Sequence, residues 1–359
     1  MSPELTQVIA GFTLTVLSLM LLAPLAKRVG LVDHPDARKH HDGEVPLIGG
    51  IAIFIALALG GLFWGDARAA VLSINQRDSF WVFLSGGLVL VVMGSLDDRF
   101  KLGVLVRVLT EFAVALIVIE GLALRVGNLG NIAGLGTVNL TPQLAYPFTV
   151  IAIFGIVNAF NMLDGMDGLL ASLVLASLLS FHLITGTYPG MVSLFLGSAL
   201  TAFLISNLAL SPWIPKAFLG DAGSKLLGFI VVCLILAAAT KQVGGVKLVK
   251  PVTALYIVAL PLFDMVFVTL HRLIQGVSPF AADRGHVHHA LLALGFSKRI
   301  TLLLVLVLAL SLSGLGVALQ QASASEPIQM ATFLGLFVMY SVFMATVWRV
   351  VNRISQTLT

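Results

Sequence analysis

The sequence predicts an all-α polytopic membrane protein with about eleven transmembrane helices. Three observations carry this: of 359 residues 58% are apolar and only 11% charged, the mean hydropathy is +1.02, and the apolar residues gather into long continuous runs. Soluble proteins carry about 45–50% apolar and about 25% charged residues, so a water-soluble enzyme, a disordered regulator and a nucleic-acid binder are excluded. The net charge of +4 is too small for a polyanion-binding surface. The single cysteine, Cys233, lies inside an apolar run, so neither a disulfide framework nor a thiol-ligated metal centre is expected.

A helix needs about 20 apolar residues to cross about 30 Å of hydrocarbon. Runs of this kind fall at 5–26, 47–64, 80–96, 104–122, 144–161, 168–187, 191–210, 222–240, 252–270, 300–319 and 329–348. They are continuously apolar, unlike the alternating segments of a membrane barrel. The first has no basic leader and no small-residue cleavage site, and reads as a retained helix. No repeat, low-complexity tract or long linker is visible, so 1–359 is read as a single domain.

Eleven spans place the termini on opposite sides, and the basic residues choose which. One side holds fifteen: Lys27, Arg28, Arg38, Lys39, Arg99, Lys101, Arg107, Lys216, Lys225, Arg272, Arg284, Lys298, Arg299, Arg349 and Arg353. The other holds six, Arg68, Arg77, Arg125, Lys241, Lys247 and Lys250, the last three clustered against the trend. The richer side is expected to be cytoplasmic, with the N-terminus periplasmic and the C-terminus cytoplasmic. Seven of the eight histidines share that face, and among the carboxylates only Glu4, Asp66, Asp78 and Glu326 fall on the other, with Glu120 near the outer end of its helix. Acidic residues contribute little to insertion bias. A chemical site built from cytoplasmic helix ends and loops accounts for their gathering.

Four segments carry that density. Leu96-Asp97-Asp98-Arg99-Phe100-Lys101 ends the third run. On a helix Asp97 and Asp98 reach Lys101 at i,i+4 and i,i+3, and adjacent carboxylates repel unless a cation or proton separates them; a solvated helix end is the plain alternative. In the stretch from Asn158 to Leu169, Asn158, Asn161, Asp164 and Asp167 recur every three residues and would form one polar stripe on a helix. Their oxygens suit Mg²⁺, and Gly165 and Gly168 allow a turn or a close approach. Turn glycines with capping Asp and Asn would look similar.

Phe218-Leu219-Gly220-Asp221-Ala222-Gly223-Ser224 opens the eighth run. There Asp221 is either a plain N-cap or a group that meets an anion through a cation at a helix start. Ser278 to His289 brings Arg284, His286, His288 and His289 together, a donor set better suited to phosphate than to zinc. Asp264 lies inside the ninth run, where an ionisable residue is a functional candidate by default; it could orient Arg272 or the histidine loop. Glu111 has Arg107 at i−4 as its nearest sequence partner. The basic loop from Asp33 to His41 reads as membrane-adjacent or catalytic.

With these segments in this order and spacing, the chain resembles the polyprenyl-phosphate N-acetylhexosamine-1-phosphate transferases. It is most similar to the bacterial undecaprenyl-phosphate N-acetylglucosamine-1-phosphate transferases that start O-antigen and related envelope glycans. The resemblance runs from about Val29 to about Phe296. Phospho-N-acetylmuramoyl-pentapeptide transferase is a more distant relative whose histidine loop has three consecutive histidines, whereas Val287 interrupts the run here.

The resemblance implies transfer of a sugar 1-phosphate, most readily from UDP-GlcNAc among UDP-N-acetylhexosamines, to undecaprenyl phosphate with release of UMP. Mg²⁺, with Mn²⁺ as a substitute, is the implied cofactor, and Asn161 and Asp221 are the implied ligands. Lys101 and Arg284 correspond to pyrophosphate contacts, Phe218 to a uracil-stacking residue and Asp167 to a uracil hydrogen-bond partner. Asp97, Asp98 and Asp164 are implicated in catalysis together with His288 and His289. His286 and, with a different local spacing, Lys39 are carried as substrate contacts. A bacterial inner-membrane location and, as one arrangement, a homodimer follow from the same likeness.

The competing class is a lipid flippase or secondary transporter. Such proteins place coupling charges near the bilayer midplane, commonly between internal repeats. Here the charges crowd helix ends and no repeat is seen.

Overall fold

A computed structural model of the protein describes residues 2–34, 43–63, 77–186, 190–240, 242–243, 246–279 and 285–357. The helices are α1 (Pro3–Val29), α2 (Gly49–Phe63), α3 (Arg77–Phe100), α4 (Val104–Leu116, continued by a π-turn at Ile117–Gly121), α5 (Pro142–Leu163), α6 (Leu169–Thr185) and α7 (Gly190–Asn207). They continue with α8 (Gly220–Thr240), α9 (Pro251–Ile257), α10 (Ala259–Ile274), α11 (Val287–Ala293), α12 (Lys298–Gln321) and α13 (Glu326–Thr357). Two short antiparallel pairs, Val32–Asp33 with Val45–Pro46 and Gln242–Val243 with Val246–Lys247, complete the described elements.

Each of the eleven apolar runs falls on this helical set, but length separates them. Among the described residues six helices, α1, α3, α5, α8, α12 and α13, are long and apolar enough to cross a membrane, and seven if the bent α9–α10 pair is one span. The apolar α2, α6 and α7 are shorter, and so is α4, with 13 residues before its π-turn. At about 1.5 Å rise per residue, helices of such length fall short of about 30 Å when upright. Helix length thus accounts for seven of the eleven expected spans.

Helix α8 is the axle of the bundle. Residues 222–238 are buried all round, and a helix apolar on every face belongs at a core. Neighbouring helices approach it through glycine. A Cβ on Gly94 of α3 would stand 2.3 Å from the Ala222 nitrogen, and one on Gly50 of α2 would stand 2.2 Å from Gly223. Small residues at crossings substitute close backbone packing for the hydrophobic drive that lipid removes. The first turn of α8 is therefore wedged between the ends of α2 and α3. A second apolar cluster joins α6, α9, α10, α12 and α13 around Tyr256, Phe263, Phe333 and Tyr340.

The break between α9 and α10, a bend of 81°, has a local cause. Pro261 has no N–H to return to the Ile257 carbonyl. That carbonyl instead accepts from the Ser177 hydroxyl of α6 at 3.2 Å. A backbone acceptor freed inside an apolar bundle thereby regains a partner.

Candidate active site

The ends of α3 and α5 meet the first turn of α8. Asp98, near the end of α3, accepts a hydrogen bond from the Asp221 backbone N–H at 2.9 Å through Oδ2. The approach requires Gly220, whose φ is +67° and where a Cβ would lie 2.4 Å from the same oxygen. Asn161, in the last turn of α5, donates its amide to Asp221 Oδ1 at 3.0 Å and to the Ser224 hydroxyl at 2.8 Å. Asp97 meets Asp221 side chain to side chain. Its oxygens also accept from Leu102 N–H at 2.7 Å and Arg107 at 3.4 Å, which ties the α3–α4 turn.

The expected stripe of four polar residues divides. Helix α5 stops at Leu163 with Asp164 as its C-cap, so Asp164 and Asp167 leave the helical register of Asn158 and Asn161. Asn158 turns into the bundle and donates to Glu111 at 2.5 Å. Glu111 pairs with Lys225 at 2.8 Å, both buried, rather than with Arg107, which goes to Asp97. The i−4 neighbour loses because Asp97 competes for Arg107.

Asp164 faces the carboxylates of the site. Burial, and then Asp221, Asp98 and Asp167, push its carboxyl up to about 8. Asp167 pairs with Lys216 at 2.8 Å, and the Lys216 ammonium lies 5.2 Å from the Phe218 ring centroid. A cleft of about 560 Å³, lined in part by Lys27, Glu44, Pro46, Pro215 and Lys216, shares that lysine. Asn207, at the end of α7, holds both halves together. Its Oδ1 accepts from Gly168 N–H at 2.6 Å and its amide donates to the Ala217 carbonyl at 3.0 Å. Phe218 is bridged to Leu47 beside it. Asn207 and Lys216 were missed because neither belongs to a polar cluster in the sequence.

Lys101 closes α3 at φ +53°, exposed and within charge range of Asp98. The histidine loop arrives from the other cluster. His288 is wholly buried against Gly165, where a Cβ would stand 2.3 Å from its Nε2. Gly165 thus admits a histidine. Among the described residues neither ring nitrogen of His288 has a hydrogen-bond partner, and its ring lies 4.2 Å from that of His289. Asp264 reaches this loop rather than Arg272, which donates to the Pro279 carbonyl at 2.6 Å. Lys39 and Arg284 lie outside the described residues.

The donor set suits a hard divalent cation. Carboxylates in contact, as Asp97 and Asp221 are, need a positive charge or a proton between them. Among the described residues no three His, Cys, Asp or Glu side chains already surround one point. Mg²⁺ keeps several waters and takes one or two carboxylates, so a closed cage is not required. Asp221 with Asp98 can supply those oxygens. Asn161 would join by a half-turn of its amide, which now presents nitrogen to Asp221.

Residues 80–239, which contain these three helix ends, match the family described as glycosyl transferase family 4. Over 98% of its length and 94% of the relative's, the chain is 34% identical to undecaprenyl-phosphate alpha-N-acetylglucosaminyl 1-phosphate transferase of Escherichia coli strain K12. The chain belongs to glycosyl transferase family 4. The protein of the same name from Yersinia pestis is 33% identical over the same shares. A probable undecaprenyl-phosphate N-acetylglucosaminyl 1-phosphate transferase of Bacillus subtilis strain 168 is 30% identical over 84% of this chain and 82% of its own. This family member is a transferase, and its apolar helices make it a multi-pass membrane protein.

Proposed function

We propose that this transferase moves an N-acetylhexosamine 1-phosphate, GlcNAc 1-phosphate in the first instance, from its UDP-sugar to undecaprenyl phosphate and releases UMP. The relatives' names supply the acceptor and the sugar phosphate. The observation that carries the reading to a site is the interlock of Asp98, Asp221 and Asn161 from three helix ends. We place the site at the cytoplasmic face of a bacterial inner membrane, where UDP-sugars are found and where a lipid phosphate can sit with its tail in hydrocarbon.

An oxygen of the lipid phosphate attacks the phosphorus that bears the sugar, and the bridging P–O bond breaks with its electrons leaving on UMP. A phosphate monoester has a second pKa near about 6, so much of the acceptor is already dianionic and needs little general-base help. The obstacle is repulsion between phosphates, and electrostatic stabilisation is the main lever. Mg²⁺ bound by Asp221 and Asn161 would supply positive charge at the pyrophosphate. Lys101 adds charge beside Asp98, while Asp97 and Asp98 orient the acceptor. Phe218 and the Asp167–Lys216 pair receive the uracil end, and the histidine loop faces the phosphates.

Purified protein incubated with undecaprenyl phosphate, Mg²⁺ and a panel of UDP-sugars tests the reading. UMP release together with a lipid-linked GlcNAc 1-phosphate product is expected. Movement of lipid or sugar across a vesicle wall without UMP would favour the transporter class instead, and a muramoyl-pentapeptide product the peptidoglycan-type enzyme.

A further inference from the structure

Asp264 is wholly buried and is the acceptor for three separate donors. Its Oδ2 stands 2.6 Å from His286 Nδ1. Its Oδ1 accepts from the Val287 backbone N–H at 2.8 Å and from the Tyr340 hydroxyl at 2.7 Å. A buried carboxylate is costly unless such bonds satisfy it. Capping the start of α11 would need one oxygen only, which a serine or asparagine could provide. The second oxygen is spent on an imidazole, and Tyr340 comes from α13, outside the segments that carry the recognisable motifs.

With Oδ1 already accepting two hydrogen bonds, a carboxylate at Asp264 offers Oδ2 as a further acceptor; a hydrogen on His286 Nδ1 completes that contact and leaves Nε2 as the nitrogen turned away from Asp264. The ring is nearly parallel to that of His288, with centroids 5.9 Å apart. His288 in turn is seated on Gly165, beside Asp164, with no room for even a methyl group between them. A small rotation of the α11 start would drive His288 into that turn.

We infer that Asp264, braced by Tyr340, is a positioning residue for the transfer reaction: it fixes the tautomer and orientation of His286 and seats the histidine loop against the Asp164 turn. This rests on the proposed function for its substrates but not for its geometry. A carboxylate that orients a histidine in other enzymes shows the scale, since loss of its charge with geometry retained costs about 10⁴-fold in turnover by selecting the wrong tautomer.

The test is made on the full-length protein in detergent with ¹⁵N-labelled histidine, the His286 signal being assigned by its loss in His286→Gln. At alkaline pH the wild type is expected to carry the His286 hydrogen on Nδ1, and Asp264→Asn to move it to Nε2. In the same preparations Asp264→Asn is expected to lower kcat about 100-fold or more, with one-to-one UDP-GlcNAc binding by calorimetry retained. A merely structural role would lower binding stoichiometry and turnover together. Tyr340→Phe, which removes one bond and no charge, is expected to keep the tautomer and lose about 3- to 10-fold in kcat; it serves as the variant if Asp264→Asn does not fold. An Nε2 hydrogen on His286 in the wild type, or full turnover in both variants, overturns the inference. A wild type with the Nδ1 hydrogen that releases no UMP from any UDP-sugar instead overturns the substrate reading alone.

Discussion

The Lys225 ammonium lies 2.8 Å from the Glu111 carboxylate, with both side chains almost fully buried. Lys225 is one helical turn beyond Asp221 on α8, and Asn158, which also bonds Glu111, is one turn before Asn161 on α5. The pair therefore repeats, one layer deeper, the α5–α8 junction that holds the site. Breaking a buried pair by removing one partner is strongly destabilising, about 3–5 kcal/mol, whereas replacing both is often neutral. Lys225→Met is expected to lower the unfolding temperature markedly, and the double variant with Glu111→Gln to recover most of the loss. Thermal unfolding of the three proteins in detergent decides; equal losses in single and double variants would mean the two charges do not act as a pair.

Gly220→Ala brings two penalties to one atom. The residue sits at φ +67°, which L side chains rarely adopt, and its new methyl would meet Asp98 Oδ2 at 2.4 Å. Asp98 or the α8 start must move. UMP release is expected to fall about 100-fold or more, because a shift of about 1 Å in a reacting constellation costs that much. Stability should change by only about 1–2 kcal/mol. Normal turnover in Gly220→Ala would separate the Asp98–Asp221 contact from the chemistry.

How much of this was readable in the chain depended on distance along it. Asp97, Asp98, Asn161, Asp164, Asp167, Asp221 and the histidines announced themselves as polar groups at the ends of apolar runs, and the helical class followed from the runs alone. Apart from the histidine loop as a partner of Asp264, tertiary partners were not readable. Glu111 had Arg107 at the helical spacing, yet it pairs with Lys225 from a distant helix. Asp264 lies 76 residues from Tyr340. The period-three pattern through Asp164 and Asp167 looked helical, but α5 ends before the two glycines. Span counting read apolar length, whereas α2, α6 and α7 are apolar because they pack within the bundle as well as because of lipid.

Lys101→Ala removes an exposed charge that stands beside Asp98. Its backbone caps α3 by bonding the Asp97 carbonyl at 2.8 Å, and alanine retains that bond. Folding should therefore be little affected. KM for the UDP-sugar is expected to rise about 10-fold or more, since a charge-assisted bond to phosphate contributes about 1.5–3 kcal/mol. Steady-state kinetics with varied donor would show an unchanged KM if Lys101 does not meet the pyrophosphate.

Asp164 gives the site a measurable cost in charge. Its carboxyl is pushed up to about 8 from an ordinary 3.8, so the folded protein holds a proton that the unfolded chain releases. Stability should fall as pH rises from about 4 through about 8. A divalent cation favours the ionised form and opposes the fall. Without Mg²⁺, the unfolding temperature is expected to drop between pH 6 and pH 9, the two ends of the scan taken as roughly bracketing that upper value. Millimolar Mg²⁺ should flatten the drop, and Asp164→Asn should reduce it. A pH slope indifferent to Mg²⁺ would detach Asp164 from any cation.

His288 predicts the opposite slope on the acid side. Burial, reinforced by His289 and His286, holds its imidazole well below the ordinary 6.5. The folded ring therefore stays neutral while the unfolded one takes up a proton. Its contribution is complete above about 6.5 and is lost as pH falls below that value. Protonation would set a charge against Gly165 with no room to move, since even a Cβ there would collide with Nε2 at 2.3 Å. His288→Gln keeps a polar group of similar reach without the titration. It is expected to flatten the loss of stability between about pH 6.5 and about pH 5 while UMP release falls, because the ring that touches the Asp164 turn has gone. If His288→Gln retains the wild-type acid slope, the titrating group lies elsewhere; if it retains full turnover, the histidine only fills space beside Gly165.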